Sequence, residues 1–463
     1  MCSIMAPENK IDVFLKNPRL SLWKLTIPMM LGLFVNSIYI LVDTYFVGSR
    51  LGDDGTYALS ALGYVMPFYF IIMGITFGIS GGITTLIAQF MGERNKQQCS
   101  LTSQNSIIIA ILIAIINVLL AYFLGSTVIA YQGAEGKVLQ LALDYFYVMA
   151  YGSIFLIFGI FLRGILIGEG ESIVPMAALG TGTILNIILD PFFIDWLGIK
   201  GAAYATMVSH IAVIFIFVYF IFIKKITFSS LAFRKFHLRF DLWLKIFNLG
   251  IPSSISMFIM SLGLFIMNTI LIDDAHVAGY NLANRIENFI TLALISLSTS
   301  QVTIIGMFYG AKKYKLIKPM IRYTTIWAMA IGSIFSILCI LFMDKIAPIF
   351  FPSNSTLDII MKNNAIQSTV DYYKYMALSY PFVGLTMVSS RAMQAIGVAW
   401  PMMIITFTRV IILQCSLCYI FIALFDKDVS WAWMAISISC VIAGIIAFFM
   451  RVYYINKIII YKE

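Results

Sequence analysis

Residues 27–48 read IPMMLGLFVNSIYILVDTYFVG, an apolar run that carries Asn36, Tyr39 and Asp43. About 20 apolar residues suffice to cross a bilayer as a helix, so the run has membrane length. Side chains three and four apart on a helix share a face, which puts these three polar groups on one stripe. A carboxylate inside hydrocarbon is costly unless it looks into protein or a wet cavity, which makes Asp43 a candidate functional group. The competing reading places Asp43 near the helix end, solvated at the interface, because Ser49 and Arg50 follow closely.

The totals agree with a membrane setting. Of 463 residues, 61% are hydrophobic and 11% charged, and the mean hydropathy is +0.93. Soluble domains are nearer half apolar and a quarter charged, so the chain reads as an all-α, polytopic membrane protein. Its net charge of +9 does not point to nucleic acid, because the basic residues lie between apolar runs rather than on one folded domain. The six cysteines are scattered, and Cys415-x-x-Cys418 lies in an apolar run without a nearby His, which suits packing. The first twenty residues hold no apolar stretch followed by a small-residue cleavage site, so no cleavable signal peptide is expected.

Apolar runs near 24–48, 60–91, 102–130, 138–163, 173–196 and 201–224 predict six spans in the first half. Runs near 246–272, 277–309, 322–351, 368–396, 400–425 and 430–456 predict six more, giving twelve transmembrane helices. Most of the 31 Lys and Arg fall at the two chain ends, the 92–100 and 310–322 turns and the 224–245 connection. Basic loops stay in the cytoplasm, so both termini are expected there, in a multi-pass protein of the plasma membrane. The expected division is an N-terminal lobe 1–224, a cytoplasmic linker 225–245 and a C-terminal lobe 246–463. Weak internal similarity supports a duplication: Pro28 and Pro252 are 224 residues apart, Arg163 and Arg391 are 228, and Pro175 and Pro401 are 226. Two pseudo-symmetric six-helix lobes are the plan of many secondary transporters.

The polar residues of the first half converge. In ILNIILDPFFI, Asn186 and Asp190 stand four apart on one face, and Pro191 removes a backbone donor beside the acid and favours a bend. GAAYATM adds Tyr204 and Thr206, and the fourth span offers Tyr145. Two carboxylates close together in a dry space cannot easily both be charged, so the pair can bind a proton. Alternatively, Asp43, Asn186, Asp190, Thr206 and a backbone carbonyl supply only oxygens, which suits Na+. The second half has no matching pair; Arg285 and Glu287 are two apart and do not face each other. Ion coupling in one lobe only is therefore expected, with Glu287 paired to a basic residue on a neighbouring helix or acting as a second protonation site. Gly78-Ile79-Ser80-Gly81-Gly82 fits a hydrolase nucleophile motif, but it lies inside a span with no histidine placed as its base, and its glycines read as helix packing. Asn354-Ser355-Thr356 is a formal glycosylation sequon. Methionines such as Met176 offer a soft, adaptable lining for varied apolar substrates.

The run IPMMLGLFVNSIYILVDTYFVG, then LNIILDPFFI, GAAYATM and GIPSSIS, resembles the multidrug and toxic compound extrusion (MATE) transporters, in their DinF-like branch, over essentially the whole chain. The resemblance implies twelve helices in two lobes around a central cleft, and antiport that exports organic compounds by alternating access, driven by inward Na+ or H+. Position by position it implies a cation site at Asp43, Asn186, Asp190 and Thr206, with the backbone of Ala202 close by. Asn36, Tyr39 and Tyr145 look like the surrounding polar network, and Pro28 like the proline at which the first span bends. Arg163 departs from the pattern, standing where similar proteins carry Asn; pointed at the acids, it would compete with a bound cation. Beyond the coupling ion no cofactor is expected, and the expected partners are small organic molecules and the lipid bilayer, the chain acting as a monomer. The rival readings are a flippase for lipid-linked sugars, favoured if Arg163, Arg391 and Arg409 line the cleft, and, more remotely, an intramembrane hydrolase using Ser80.

Overall fold

The computed structural model describes residues 10–231, 236–271, 273–350 and 359–462, and among these there are helices and no strands. The first nine residues and the sequon at 354–356 lie outside the described residues. A short helix α1 (Lys10–Lys16) precedes six long ones: α2 (Pro18–Arg50), α3 (Gly55–Gly92), α4 (Lys96–Tyr131), α5 (Gly136–Gly168), α6 (Ile173–Leu197) and α7 (Ile199–Val218). After a connection come α8 (Phe240–Ile270), α9 (Asp274–Gly310), α10 (Ile317–Ile346), α11 (Ile359–Met376), α12 (Tyr380–Ala395), α13 (Trp400–Phe407), the single turn α14 (Ser416–Tyr419) and α15 (Ser430–Lys462). Eleven helices among the described residues are long and apolar enough to cross a membrane. The broken pair α11–α12 completes a layout of twelve spans in two lobes.

The structure departs from the expected spans in three places. The run expected at 368–396 is two helices separated at 377–379. Pro381 explains the break: it offers no N–H and disfavours helical geometry in the residue before it. From Trp400 the eleventh span is not uniform, because Thr408–Cys415 and Ile420–Leu424 wind as π-helix. The linker is also shorter than expected, since α8 begins at Phe240.

The chain forms two compact units, Met1–Ser254 with Gly310–Lys312, and Ile255–Tyr309 with Lys313–Glu463. The division falls inside α8 rather than at the linker. Its reason is the close approach of α8's first turns to α3: a Cβ on Gly82 would stand 2.5 Å from the Ile246 carbonyl. Gly82 therefore acts in packing, as its spacing predicts.

Within the first unit, α5 packs on α3, α4 and α7, while α6 packs on α2 and α7. One apolar cluster (Val47, Leu62, Phe146, Ile194 and others) also holds Tyr145 and Ala202. At the opposite end the backbone is tied by buried acids. Glu169 is 1% exposed, and its carboxylate accepts the N–H groups of Phe228 and Ser229 at 2.7 and 2.8 Å. Burial pushes its carboxyl above the ordinary value of 4.5, against the pull of those N–H groups and of Lys10. Asn105 holds the end of the connection, accepting from the Arg239 N–H at 3.0 Å and the Trp243 indole at 2.9 Å. Lys10 of α1 is buried against Glu171 at 3.1 Å. Breaking such a buried pair from one side costs about 3–5 kcal/mol.

Pro28 lies inside α2, which continues through it. A helical proline leaves the carbonyl four residues earlier without its donor, here that of Lys24. The hydroxyl of Ser172, in the turn between α5 and α6, donates to that carbonyl at 3.2 Å.

Candidate functional site

The sharp turn between α6 and α7 is made by Gly198, whose φ of 63° lies in the left-handed region that favours glycine. The two helices return side by side and bring Asn186 and Asp190 against Thr206. The Asn186 amide donates to Asp190 Oδ1 at 3.1 Å and to Thr206 Oγ1 at 3.4 Å. All three residues are buried, at 1%, 0% and 2% exposure. Asp43 comes from α2, which packs on α6, and is 7% exposed. It lies within electrostatic reach of Asp190. The reading of solvated helix-end acids therefore does not describe these two.

Their remaining oxygens decide what the cluster can do. Asp43 Oδ1, Asn186 Oδ1 and Asp190 Oδ2 are buried without a hydrogen-bond partner. An unpaired buried acceptor costs about 1–3 kcal/mol, so three together call for something that supplies positive charge. A hard cation accepts oxygen ligands of this kind, and a proton placed on one carboxylate would remove the repulsion between the two. The oxygen set thus fits either Na+ or H+.

Around the acids, the phenols of Tyr39 and Tyr69 are hydrogen-bonded to each other, and both, with Tyr145, lie within electrostatic reach of Asp43. A small cavity of about 30 Å³ is lined by Asn36, Tyr39, Thr183, Asn186, Thr206 and His210, among others. A second, of about 10 Å³, shares Thr206 and His210 with it. Ala202, fully buried, stands one turn before Thr206. Pro191, directly after Asp190, lies within α6.

Tyr204, Met176 and Arg163 stand apart from the acid cluster. Tyr204 is 36% exposed and two residues from Thr206, hence on another face of α7. Met176 packs closely on Gly32 of α2, ten residues before Asn186. Arg163 sits over the ring of Phe77, 5.8 Å from its centroid. It lies 18 residues beyond Tyr145 on α5, about 27 Å of helix rise away, so it does not point at the acids. Two residues enter the site that the spacing did not single out. His210 has a buried Nε2 without a partner and stands four residues after Thr206, a spacing that places it on the same face. Tyr69 joins through Tyr39.

Ser80 is 6% exposed, and its hydroxyl donates to the Ile160 carbonyl of α5 at 3.0 Å. It ties two helices together and is not activated by a base. Arg391 donates to Gln394 at 2.7 Å, and Arg409 to the Cys440 sulfur at 3.5 Å.

Comparison with known proteins identifies the family and the fold. The MatE family model matches residues 28–192 and 252–420. The chain is 25% identical over 411 residues to the probable multidrug resistance protein YoeA of Bacillus subtilis (strain 168), covering 85% of each. It is 27% identical over 335 residues to the multidrug export protein MepA of Staphylococcus aureus (strain NCTC 8325 / PS 47), covering 71% of this chain and 72% of that one. Its fold matches the outward-facing structure of a multidrug resistance MATE family transporter of the MOP superfamily with a TM-score of 0.87, at 26% identity, over 94% of this chain and 96% of that one.

Proposed function

Because this chain belongs to the MatE family of membrane transporters, we propose that it exports organic compounds, cationic or amphipathic, in exchange for inward-moving Na+ or H+. The observation that carries the proposal is the set of three partnerless buried oxygens on Asp43, Asn186 and Asp190, inside membrane-crossing helices. Intramembrane acids of this kind mark ion pathways. The substrate class is supported by the two relatives, a multidrug resistance protein and a multidrug exporter.

In this reading Asp43 and Asp190 take the coupling ion, with Asn186 holding Asp190 in place and Thr206 completing the oxygen set. Arriving positive charge relieves the repulsion between the two acids and satisfies the orphaned acceptors. Export follows if ion and drug differ in affinity between the two facing states of the two lobes. The excess of Lys and Arg at both chain ends supports cytoplasmic termini in the plasma membrane, and the chain acts as a monomer.

The test is dye efflux from proteoliposomes under separately imposed Na+ and pH gradients. Asp43→Asn and Asp190→Asn should each abolish gradient-driven efflux at unchanged protein level, and the gradient that drives the wild type identifies the ion. Full transport in both variants rejects the assignment.

A further inference from the structure

The second unit holds an acid that this site does not use. Glu287 lies in α9, inside a membrane-crossing helix. Its Oε1 accepts two phenol protons, from Tyr372 at 2.8 Å and from Tyr380 at 2.5 Å. Both tyrosines are 2% exposed. They stand on opposite sides of the 377–379 break, Tyr372 on α11 and Tyr380 on α12. One carboxylate oxygen therefore ties together the two halves of a span that its own backbone leaves divided.

Among the described residues no direct ion pair is recorded for this acid. Arg409, in the π-helical stretch after α13, is within electrostatic reach while donating to the Cys440 sulfur. Also within electrostatic reach are Tyr280 on α9, Cys339 on α10 and Tyr373 on α11, which are not basic. The hydrogen-bond partners of Glu287 are thus two phenols, with Arg409 acting only at longer range. A carboxylate in hydrocarbon without a directly paired cation can shed its cost by accepting a proton.

We infer that Glu287 is a second proton-exchange site, whose charge sets how firmly the two halves of the broken span α11–α12 are held together. With Glu287 ionised, both phenol bonds are charge-assisted, roughly twice as strong as neutral ones. When a proton adds to the oxygen that holds no phenol, the other becomes a neutral acceptor and both bonds weaken together. Loss of the proton restores them. Proton occupancy is thereby converted into the freedom of one helix half to move against the other, hinged where Pro381 already interrupts the backbone. The ligand is a single proton, so Na+ is not expected to compete at this position. The inference rests on the exporter reading only for what the movement serves.

The test needs no transport. Purified wild-type protein is treated with a hydrophobic carbodiimide, which attacks protonated carboxyls in apolar surroundings, and the modified residues are found by mass spectrometry. Labelling at Glu287 should fall about tenfold per pH unit above its midpoint, as a single titrating carboxyl requires. Added Na+ should leave that labelling unchanged. Tyr372→Phe combined with Tyr380→Phe should displace the midpoint by about one pH unit or more, the worth of a lost charge-assisted bond. A labelling level at Glu287 that is nil or pH-independent, or a midpoint unmoved in the double variant, overturns the inference. Because the readout is chemical modification without a gradient, it stands or falls separately from efflux in Asp43→Asn.

Discussion

The Asn186 amide reaches both Asp190, at 3.1 Å, and Thr206, at 3.4 Å, so one side chain fixes the spacing of two helices around the acids. Replacing it by Leu removes both donors while roughly keeping its volume. The loss of the bond to Asp190 leaves a further buried acceptor unsatisfied, a cost of about 1–3 kcal/mol. Asn186→Leu should therefore lower thermal stability measurably and weaken half-saturation by the coupling ion about tenfold or more, read from efflux against ion concentration.

Arg163 gives the contrasting expectation. About 27 Å of helix rise separates it from Tyr145, too far for direct contact with the acids. Arg163→Ala should leave half-saturation by the coupling ion within about twofold of wild type, although it removes the contact with Phe77. A large shift in ion dependence would mean that the residue communicates with the acids after all.

The bond between Ser172 and the Lys24 carbonyl exists because Pro28 cannot supply a donor. Ser172→Ala should cost about 1 kcal/mol in the wild type and less in a Pro28→Ala background, where a backbone N–H takes over. A double-mutant cycle on thermal unfolding reads the coupling directly; strict additivity would show that the bond does not serve the proline.

Glu169 makes stability depend on pH. Its folded carboxyl is raised above the unfolded value by burial, so in the window beginning near 4.5 and extending upward the folded state binds the proton more tightly. Its contribution is fully present below the unfolded value and is lost as pH rises through the folded one. Glu169→Gln should flatten this part of the melting temperature against pH profile. An unchanged slope would assign the dependence to other groups.

Much of this was readable in the chain. Asn186 and Asp190 declared themselves by being four apart in an apolar run, and Asp43 by its depth; local spacing sufficed because each pattern lies within one helix. Tyr204 shows the limit of composition without geometry, since a separation of two from Thr206 already places it on another face. His210 carries a visible signal, four residues after Thr206, but a lone histidine with no acid beside it in the chain does not stand out. The bonds of Glu287 to Tyr372 and Tyr380 cross 85 and 93 residues and depend on a break inside an unbroken apolar run, so nothing local predicts them.

The depth of the acid pair has an electrical consequence. Asp43 lies seven residues from the Arg50 end of the 33-residue α2, about a fifth of its length or roughly 10 Å of rise. If the acids take the coupling ion as proposed, an ion arriving from that nearer face crosses only a minor share of the transmembrane voltage drop. At 100 mV this is about 0.5 kcal/mol of the roughly 2.3 kcal/mol that a full crossing releases. Most of the electrical work would then be exchanged after the ion has been captured, on the long remaining passage.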